Sequence, residues 1–339
     1  MRVSTDLLKN NYVPVGFLIL SVVGLYFSGL STSFVINQLI TRFIRNGILV
    51  LALIIPIRAG MGLNFAITMG ALCTQAAIVI ALNWSIEGVV GIVTILILSI
   101  SFSIIIGYFI GLALNRARGK EMITSIIIGF LGNSIFQMIF MTGFGSVIPI
   151  KNKAIGLSRG IGIRDMVDLG SYKIIDYQLY MITIVILFGA GIHYILNTPF
   201  GQQVKAVGGD YKNSFLLGIN GEKVRIKAVI ISTVLASIGQ FIYLQNIGVA
   251  NVYTAQSNSD IFSSAAILAG GASIKKASVK NAFLGIFLFH ALFIVSPQAG
   301  QNIFNNAALG EYFRSFIAYG TIALAIIINL KKTQKELGK

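Results

Sequence analysis

Long apolar stretches alternate along the chain with short polar ones. Seven stretches contain no Asp, Glu, Lys or Arg over 28 to 32 residues each: 10–41, 59–86, 88–115, 122–150, 177–204, 228–259 and 281–310. About 20 mostly apolar residues in a helix cross the hydrocarbon core of a bilayer, so each stretch predicts a transmembrane helix. Three shorter charge-free gaps, 46–57, 261–274 and 315–330, lie between them and bring the predicted count to ten spans. Backbone polar groups in lipid must be satisfied within the segment, and an all-α integral membrane protein meets that demand. The pattern is read as one transmembrane domain over residues 1–339.

Composition agrees with the pattern, because charged residues are 11% of the 339 against roughly 25% in an ordinary soluble domain. The net charge of +15 would suggest a nucleic-acid partner in a soluble protein, but membrane topology accounts for it. With the amino terminus inside and ten spans, 18 of the 26 basic residues fall in predicted cytoplasmic segments and 8 in outer ones. The acids divide 5 to 6, so the asymmetry lies in Lys and Arg, which is the form the positive-inside bias takes. Both termini are therefore predicted to be cytoplasmic. Arg42 and Arg45 fall at the outer end of predicted span two, where their long side chains can snorkel to headgroups. The first span follows Arg2 and Lys9 and, over 12–29, is too long for the apolar region of a cleaved signal. Two predicted loops are unusually long: an outer one at 143–176 and an inner one at 197–227.

Candidate chemistry is sparse. One cysteine, Cys73, excludes a disulfide within the chain, and two histidines with one cysteine cannot build a structural zinc site, so no metal site is predicted. The only Gly-Lys pairs, Gly119-Lys120 and Gly338-Lys339, do not belong to a phosphate-binding loop, and no ATP site is predicted on this chain. His193 and His290 lie within spans with no charged neighbour in the same stretch and read as neutral, hydrogen-bonded histidines. Asp260 borders predicted span eight, whereas ion-coupled carriers place ionisable groups near the midplane. No paired carboxylates or activated nucleophile appear in the spans, which disfavours an enzyme.

Uncharged polar residues, by contrast, recur at helical spacing. Asn64, Thr68 and Gln75 share a face of predicted span three, Asn133 and Gln137 a face of span five, and Thr233, Ser237 and Gln240 a face of span seven. Two readings stand side by side. In one, the stripes line a pathway for a small hydroxyl- or amide-bearing solute. In the other they bond helix to helix, at about 0.6 kcal/mol per contact. Gly60 and Gly62, in the run Gly60-Met61-Gly62-Leu63-Asn64, interrupt the junction of spans two and three; irregular backbone there is tolerable only beside protein or a water-filled cavity. Gly107 and Gly111 in span four read as close helix packing.

The inner loop carries a motif. It runs from Thr198-Pro199-Phe200-Gly201 through Lys205-Ala206-Val207-Gly208-Gly209-Asp210 to Gly218-Ile219, and continues to Arg225. Over these 28 residues it resembles the cytoplasmic coupling loop of permease subunits in bacterial ATP-binding-cassette importers, in the branch for ribose-type sugars, nucleosides and branched-chain amino acids. In that branch a T-x-x-G segment leads into a basic residue, then A-x-G-x-N, then G-I. Asp210 stands here where Asn is usual. Ile267 to Ser273 is similar to the family's small-residue stretch, and Gly60 to Asn64 to its glycine-containing break.

The resemblance implies a permease subunit of the bacterial inner membrane that pairs with a second permease copy, identical or not, and is driven by two cytoplasmic ATPase subunits. ATP and magnesium would be held by those partners, with no cofactor on this chain. It also implies an extracytoplasmic solute-binding protein, for which 143–176 is the candidate dock. Phe200, Gly201, Lys205, Ala206, Gly208, Asp210, Gly218 and Ile219 are the implied contacts to the ATPase. Independently of the resemblance, the loop is expected to form two short helical turns, 202–207 and 212–217, separated at Gly208-Gly209. Phe200, Val204 and Val207 would then make an apolar ridge for docking into a partner groove. A sugar or nucleoside is the expected cargo, with a branched-chain amino acid and an ion-coupled secondary carrier as alternative readings.

Overall fold

The computed structural model describes residues 12–170 and 178–337. Arg2, Lys9, Lys173 and Lys339, which enter the charge count above, lie outside the described residues, as do the last residues of the predicted outer loop. The chain is almost wholly helical. Its elements are α1 (Tyr12–Ser28), α2 (Thr32–Ala52), α3 (Ile54–Arg58), α4 (Ile67–Asn83), α5 (Gly88–Arg116), α6 (Glu121–Met138, continued by a π-helical turn Ile139–Gly143) and β1 (Met166–Asp168). There follow α7 (Gln178–Asn197), α8 (Pro199–Gly209), α9 (Tyr211–Leu216), α10 (Gly221–Ile247), β2 (Val249–Asn251), α11 (Ser259–Ala269), α12 (Val279–Phe304) and α13 (Ala307–Leu337).

Among the described residues, six helical stretches of 20 to 29 residues are long and apolar enough to cross a membrane: Thr32–Arg58, Gly88–Arg116, Glu121–Gly143, Gln178–Asn197, Gly221–Ile247 and Val279–Phe304. Three apolar helices, Val13–Ser28, Ile67–Asn83 and Ser259–Ala269, are shorter.

Helix boundaries depart from the charge-free stretches in three places. The stretch 10–41 holds one whole helix and the first half of the next, because Gly29 at φ +64° breaks the chain and Ser31 caps the following helix by accepting from Phe34 N–H at 3.3 Å. Arg42 and Arg45 consequently sit inside a helix that runs from Thr32 to Arg58 with one joint at Leu53, not at the start of a span beginning at 46. Predicted span seven begins earlier, at Gly221, with Asn220 as its cap. Predicted span eight reduces to the 11 residues of α11, about 16 Å or half the hydrocarbon thickness; the preceding residues 252–258 are irregular.

Glycine decides the packing around α10, the helix at the centre of the bundle. A Cβ on Gly107 or Gly111 would lie 3.0 Å from the Cα of Ile230 or Ile226, so α5 meets α10 backbone to backbone. On its other sides α10 packs against α2 and α4. Cys73 is buried and free.

The two ends of the bundle differ. At one end β1 pairs antiparallel with β2, and the loop from 144 to 164 is bolted onto α4: Asn83 Nδ2 donates to the Pro149 carbonyl at 3.1 Å and its Oδ1 accepts from Lys151 N–H at 2.9 Å. At the other end lie α8 and α9, the hairpin after α5 with Arg118, and residues 270–278, tied to α3 by Arg58 Nε donating to the Ala277 carbonyl at 2.7 Å.

Candidate functional site

Two non-helical segments inside the bundle position the candidate pathway. The first covers 59–66. Gly60 at φ +74° and Gly62 at +71° adopt left-handed backbone that a helix cannot continue, so α4 starts only at Ile67. Side chains satisfy the backbone groups so released: Asn64 Oδ1 accepts from Ala66 N–H at 3.1 Å, and Ser125 Oγ on α6 accepts from Phe65 N–H at 3.1 Å. Asn64 Nδ2 reaches Ser232 Oγ on α10 at 3.4 Å.

The second segment is 252–258, between β2 and α11. Its organising residue is Gln256, 2% exposed, whose Nε2 donates to Asn133 Oδ1 on α6 at 2.6 Å and to the Tyr253 carbonyl at 2.9 Å. Gln75 on α4 completes the junction. With its amide oriented by the hydrogen-bond pattern, Gln75 donates to Gln256 Oε1 at 2.9 Å and to the Val252 carbonyl at 3.0 Å. Asn258 at φ +62° then starts α11.

Between these segments, α6 and α13 lies a cavity of about 420 Å³. Its walls carry Phe65, Phe130 and Tyr319 as aromatic surfaces and Thr68, Asn133, Gln256, Ser257 and Asn258 as uncharged polar groups. Asp260, in the first turn of α11, is the one carboxylic side chain among the described lining residues, which include no Lys, Arg or His. A mostly apolar pocket with a few convergent polar groups is what a small-solute site requires.

Of the residues singled out from the sequence, Thr68 and Asn133 line this cavity. Gln75 connects to it through Gln256, and Gln137 is half-buried away from the lining. Thr233, Ser237 and Gln240 are fully buried along α10. Thr233 Oγ1 donates to the Val229 carbonyl of its own helix at 2.9 Å, Ser237 accepts from Thr74 on α4 at 3.0 Å, and Gln240 Oε1 has no partner. Of the three, Ser237 joins α10 to α4, whereas the Thr233 bond stays within its own helix. Sequence reading missed Gln256, although the run Gln256-Ser257-Asn258-Ser259-Asp260, five polar residues inside apparent membrane sequence, is a visible signal.

The second candidate site is the α8–α9 loop. Thr198 caps α8 by accepting from Gly201 N–H at 3.3 Å, with Pro199 at the first helical position where its missing N–H is harmless. Gly201 lies against the backbone of Ile195 and Leu196, where a side chain would collide. The two helices are separated at Asp210 rather than at Gly208-Gly209. Its Oδ1 accepts from the N–H groups of Lys212 at 2.9 Å and Asn213 at 3.1 Å, capping α9. The expected outward ridge is corrected as well: Val204 and Val207 are buried against the bundle, because α8 is amphipathic and its apolar face covers α3 and α10. Phe200, Lys205, Ala206, Gly208 and Ile219 are half-buried. The exposed apolar surface is instead Phe215, Leu216 and Leu217, 74 to 80% exposed, just before Gly218 at φ +75°.

Gly208 meets the first non-helical segment directly, since a Cβ on Gly60 would lie 2.9 Å from the Gly208 Cα. Charged groups brace the same end. Arg118 stacks 3.9 Å above the Tyr211 ring, donates to its hydroxyl and pairs with Glu222 at 3.1 Å, while Arg225, 4% exposed at its side chain, pairs with Glu121 at the start of α6. The loop, the hairpin after α5, and the feet of α6 and α10 are thus one linked unit.

Residues 35–326 match the family model described as the permease component of branched-chain amino acid transport systems. The xylose transport system permease protein XylH of Haemophilus influenzae is 26% identical over 167 residues, which is 49% of this chain and 42% of that protein's length. No solved structure matches the chain. The family match, the apolar helices and the loop motif converge: this chain belongs to the branched-chain amino acid transport system permease family of ATP-binding-cassette importers, as a multi-pass transport component of the bacterial inner membrane rather than an enzyme.

Proposed function

We propose that the chain translocates a small neutral polar solute, a sugar before a nucleoside, through the cavity between α4, α6, α11 and α13. Cytoplasmic ATPase subunits working on the α8–α9 loop drive it. The observation that carries this reading is the cavity itself, roofed by irregular backbone at 252–258 and lined by amides, hydroxyls and aromatic faces. Non-helical backbone within a membrane protein is sustained where it lines such a cavity, and transporters bind substrate at such breaks.

The lining's charge favours a sugar. Asp260 is its one carboxylic group, so an amino acid's carboxylate would meet a carboxylate and no Lys or Arg among the described lining residues. The similarity to a xylose permease points the same way. A branched-chain amino acid is the second reading, favoured by the family description and by the amino-terminal end of α11 at the cavity, whose N–H groups suit a carboxylate.

In this reading the α8–α9 end faces the cytoplasm, which puts Arg58, Arg116, Arg118, Lys120 and Lys212 inside in accord with the positive-inside bias. Ten passes, with residues 252–258 and α11 sharing one of them, leave both termini cytoplasmic. Two copies pair in the membrane, two ATPases dock through Phe215, Leu216 and Leu217, and a solute-binding protein docks on the loop from 144 to 170 at the opposite end.

Reconstitution in proteoliposomes with an ATPase subunit that co-purifies with the chain tests the proposal. ATP-dependent uptake of labelled D-xylose or adenosine, with leucine excluded, is the expected result. Leucine uptake alone would establish the second reading, and uptake driven by an ion gradient without ATP would refute both.

A further inference from the structure

Four helices converge on a cationic cluster that shares no residue with the cavity. Arg42 and Arg45 come from α2, Tyr243 and Asn246 from the last turn of α10, His290 and Phe293 from α12, and Arg314 from α13. Phe43, next to Arg42, stacks on Phe287 of α12 at 5.1 Å. One turn on, the His290 ring meets Phe293 at 6.2 Å, the ring that Arg314 also covers. So α2, α12 and α13 bring these groups to one neighbourhood, where the charges of Arg45 and Arg314 act on Arg42. Arg45 Nε donates to Asn246 Oδ1 at 2.6 Å. Arg314 stacks 4.9 Å from the centre of the Phe293 ring, donates to the Phe293 carbonyl at 3.1 Å and meets Glu311 at 3.4 Å.

The cluster is unbalanced in charge and in hydrogen bonds. Arg314 meets the half-exposed carboxylate of Glu311, and among the described residues neither Arg42 nor Arg45 pairs with a carboxylate. Arg42 Nε is buried and bonded to nothing, and so are both ring nitrogens of His290, a residue 2% exposed that feels the Arg42 charge. Like charges gathered in a low-dielectric interior repel, and a buried donor without an acceptor is costly, so such a group in a native fold points to an ion that completes it. The guanidinium fork matches a tetrahedral oxyanion, to which a neutral imidazole adds one N–H.

We propose that Arg42, Arg45, Arg314 and His290 form a binding site for a phosphate-type oxyanion, separate from the transport cavity. The phosphate of an anionic phospholipid and free inorganic phosphate offer this chemistry equally, and the Arg314 side chain is partly exposed.

The test uses the full-length chain purified in detergent. Retained phosphatidylglycerol is counted by native mass spectrometry, with phosphatidylcholine as the neutral control, and binding of labelled inorganic phosphate is measured at equilibrium. One tightly held phosphatidylglycerol per chain that free phosphate does not displace identifies a lipid site; saturable phosphate binding that displaces it identifies a free-anion site. Either way, Arg42→Gln and Arg314→Gln should each weaken binding about tenfold, with Arg42→Lys between them and wild type. Size-exclusion profiles identical to wild type establish that the variants fold. Binding of neither probe, or binding unchanged in both glutamine variants, overturns the proposal.

Discussion

Gly208 and Gly60 touch through their backbones: a Cβ on Gly208 would lie 2.8 Å from the Gly60 nitrogen and collide with the carbonyl of Arg58. The end of the coupling loop therefore rests on the break before α4, four residues from Asn64 and eight from Thr68 on the cavity wall. In the proposed reading, a push on α8 has a short route to the cavity.

Replacing Gly208 by Val should separate the two ends of that route. The branched side chain must displace α8 from α3, so ATP-driven uptake should fall at least about tenfold while ATPase activity of the assembled complex stays near wild type. Gly208→Ala should give a smaller loss in the same direction. Gly209→Ala is the internal control, because a Cβ there has nothing within 4 Å, and it should behave as wild type. Proteoliposome transport and phosphate release measured side by side check all three.

Asn133→Leu removes the acceptor of Gln256 Nε2 inside the cavity. Leaving that amide short of a partner costs about 1–3 kcal/mol, and solute KM should rise by roughly tenfold or more. Gln137→Leu, one turn further along α6 and off the lining, should leave KM within about twofold. Equal effects of the two substitutions would refute the placement of the site.

Glu121 and Arg225 form a nearly buried ion pair joining the feet of α6 and α10. Arg225→Met strands the Glu121 carboxylate, with an expected loss of about 3–5 kcal/mol that a thermal or denaturant melt in detergent will register. The double change Glu121→Leu, Arg225→Met should recover most of that loss, since no unpaired charge is left behind.

Phe215 and Leu216 are 74 and 80% exposed on α9. Changing both to Ser should leave the melting of the isolated chain unchanged, because little burial is lost. Association with the ATPase should weaken by about 30-fold or more, the effect of losing an interface hot spot, as read by co-purification and titration.

The sequence by itself determined the class of protein and most of the helices. Those signals are local: charge-free length, helical spacing of polar groups, and the closely spaced Gly60 and Gly62 that interrupt the junction before α4. Tertiary structure decided which face of each element meets what. Val204 and Val207 have the spacing of a docking ridge, yet α3 and α10 cover them, leaving Phe215 to Leu217 exposed. Thr233, Ser237 and Gln240 have the spacing of a pathway stripe and are fully buried where glycines on α5 let that helix close over α10, while Asn133 meets a partner 123 residues away. Arg42 and Arg45 look like the edge of a span but lie within a helix whose beginning is set by Gly29 and Ser31. Helical spacing fixes the angle between side chains on one helix; the neighbour each of them faces is set by contacts between segments far apart in the chain.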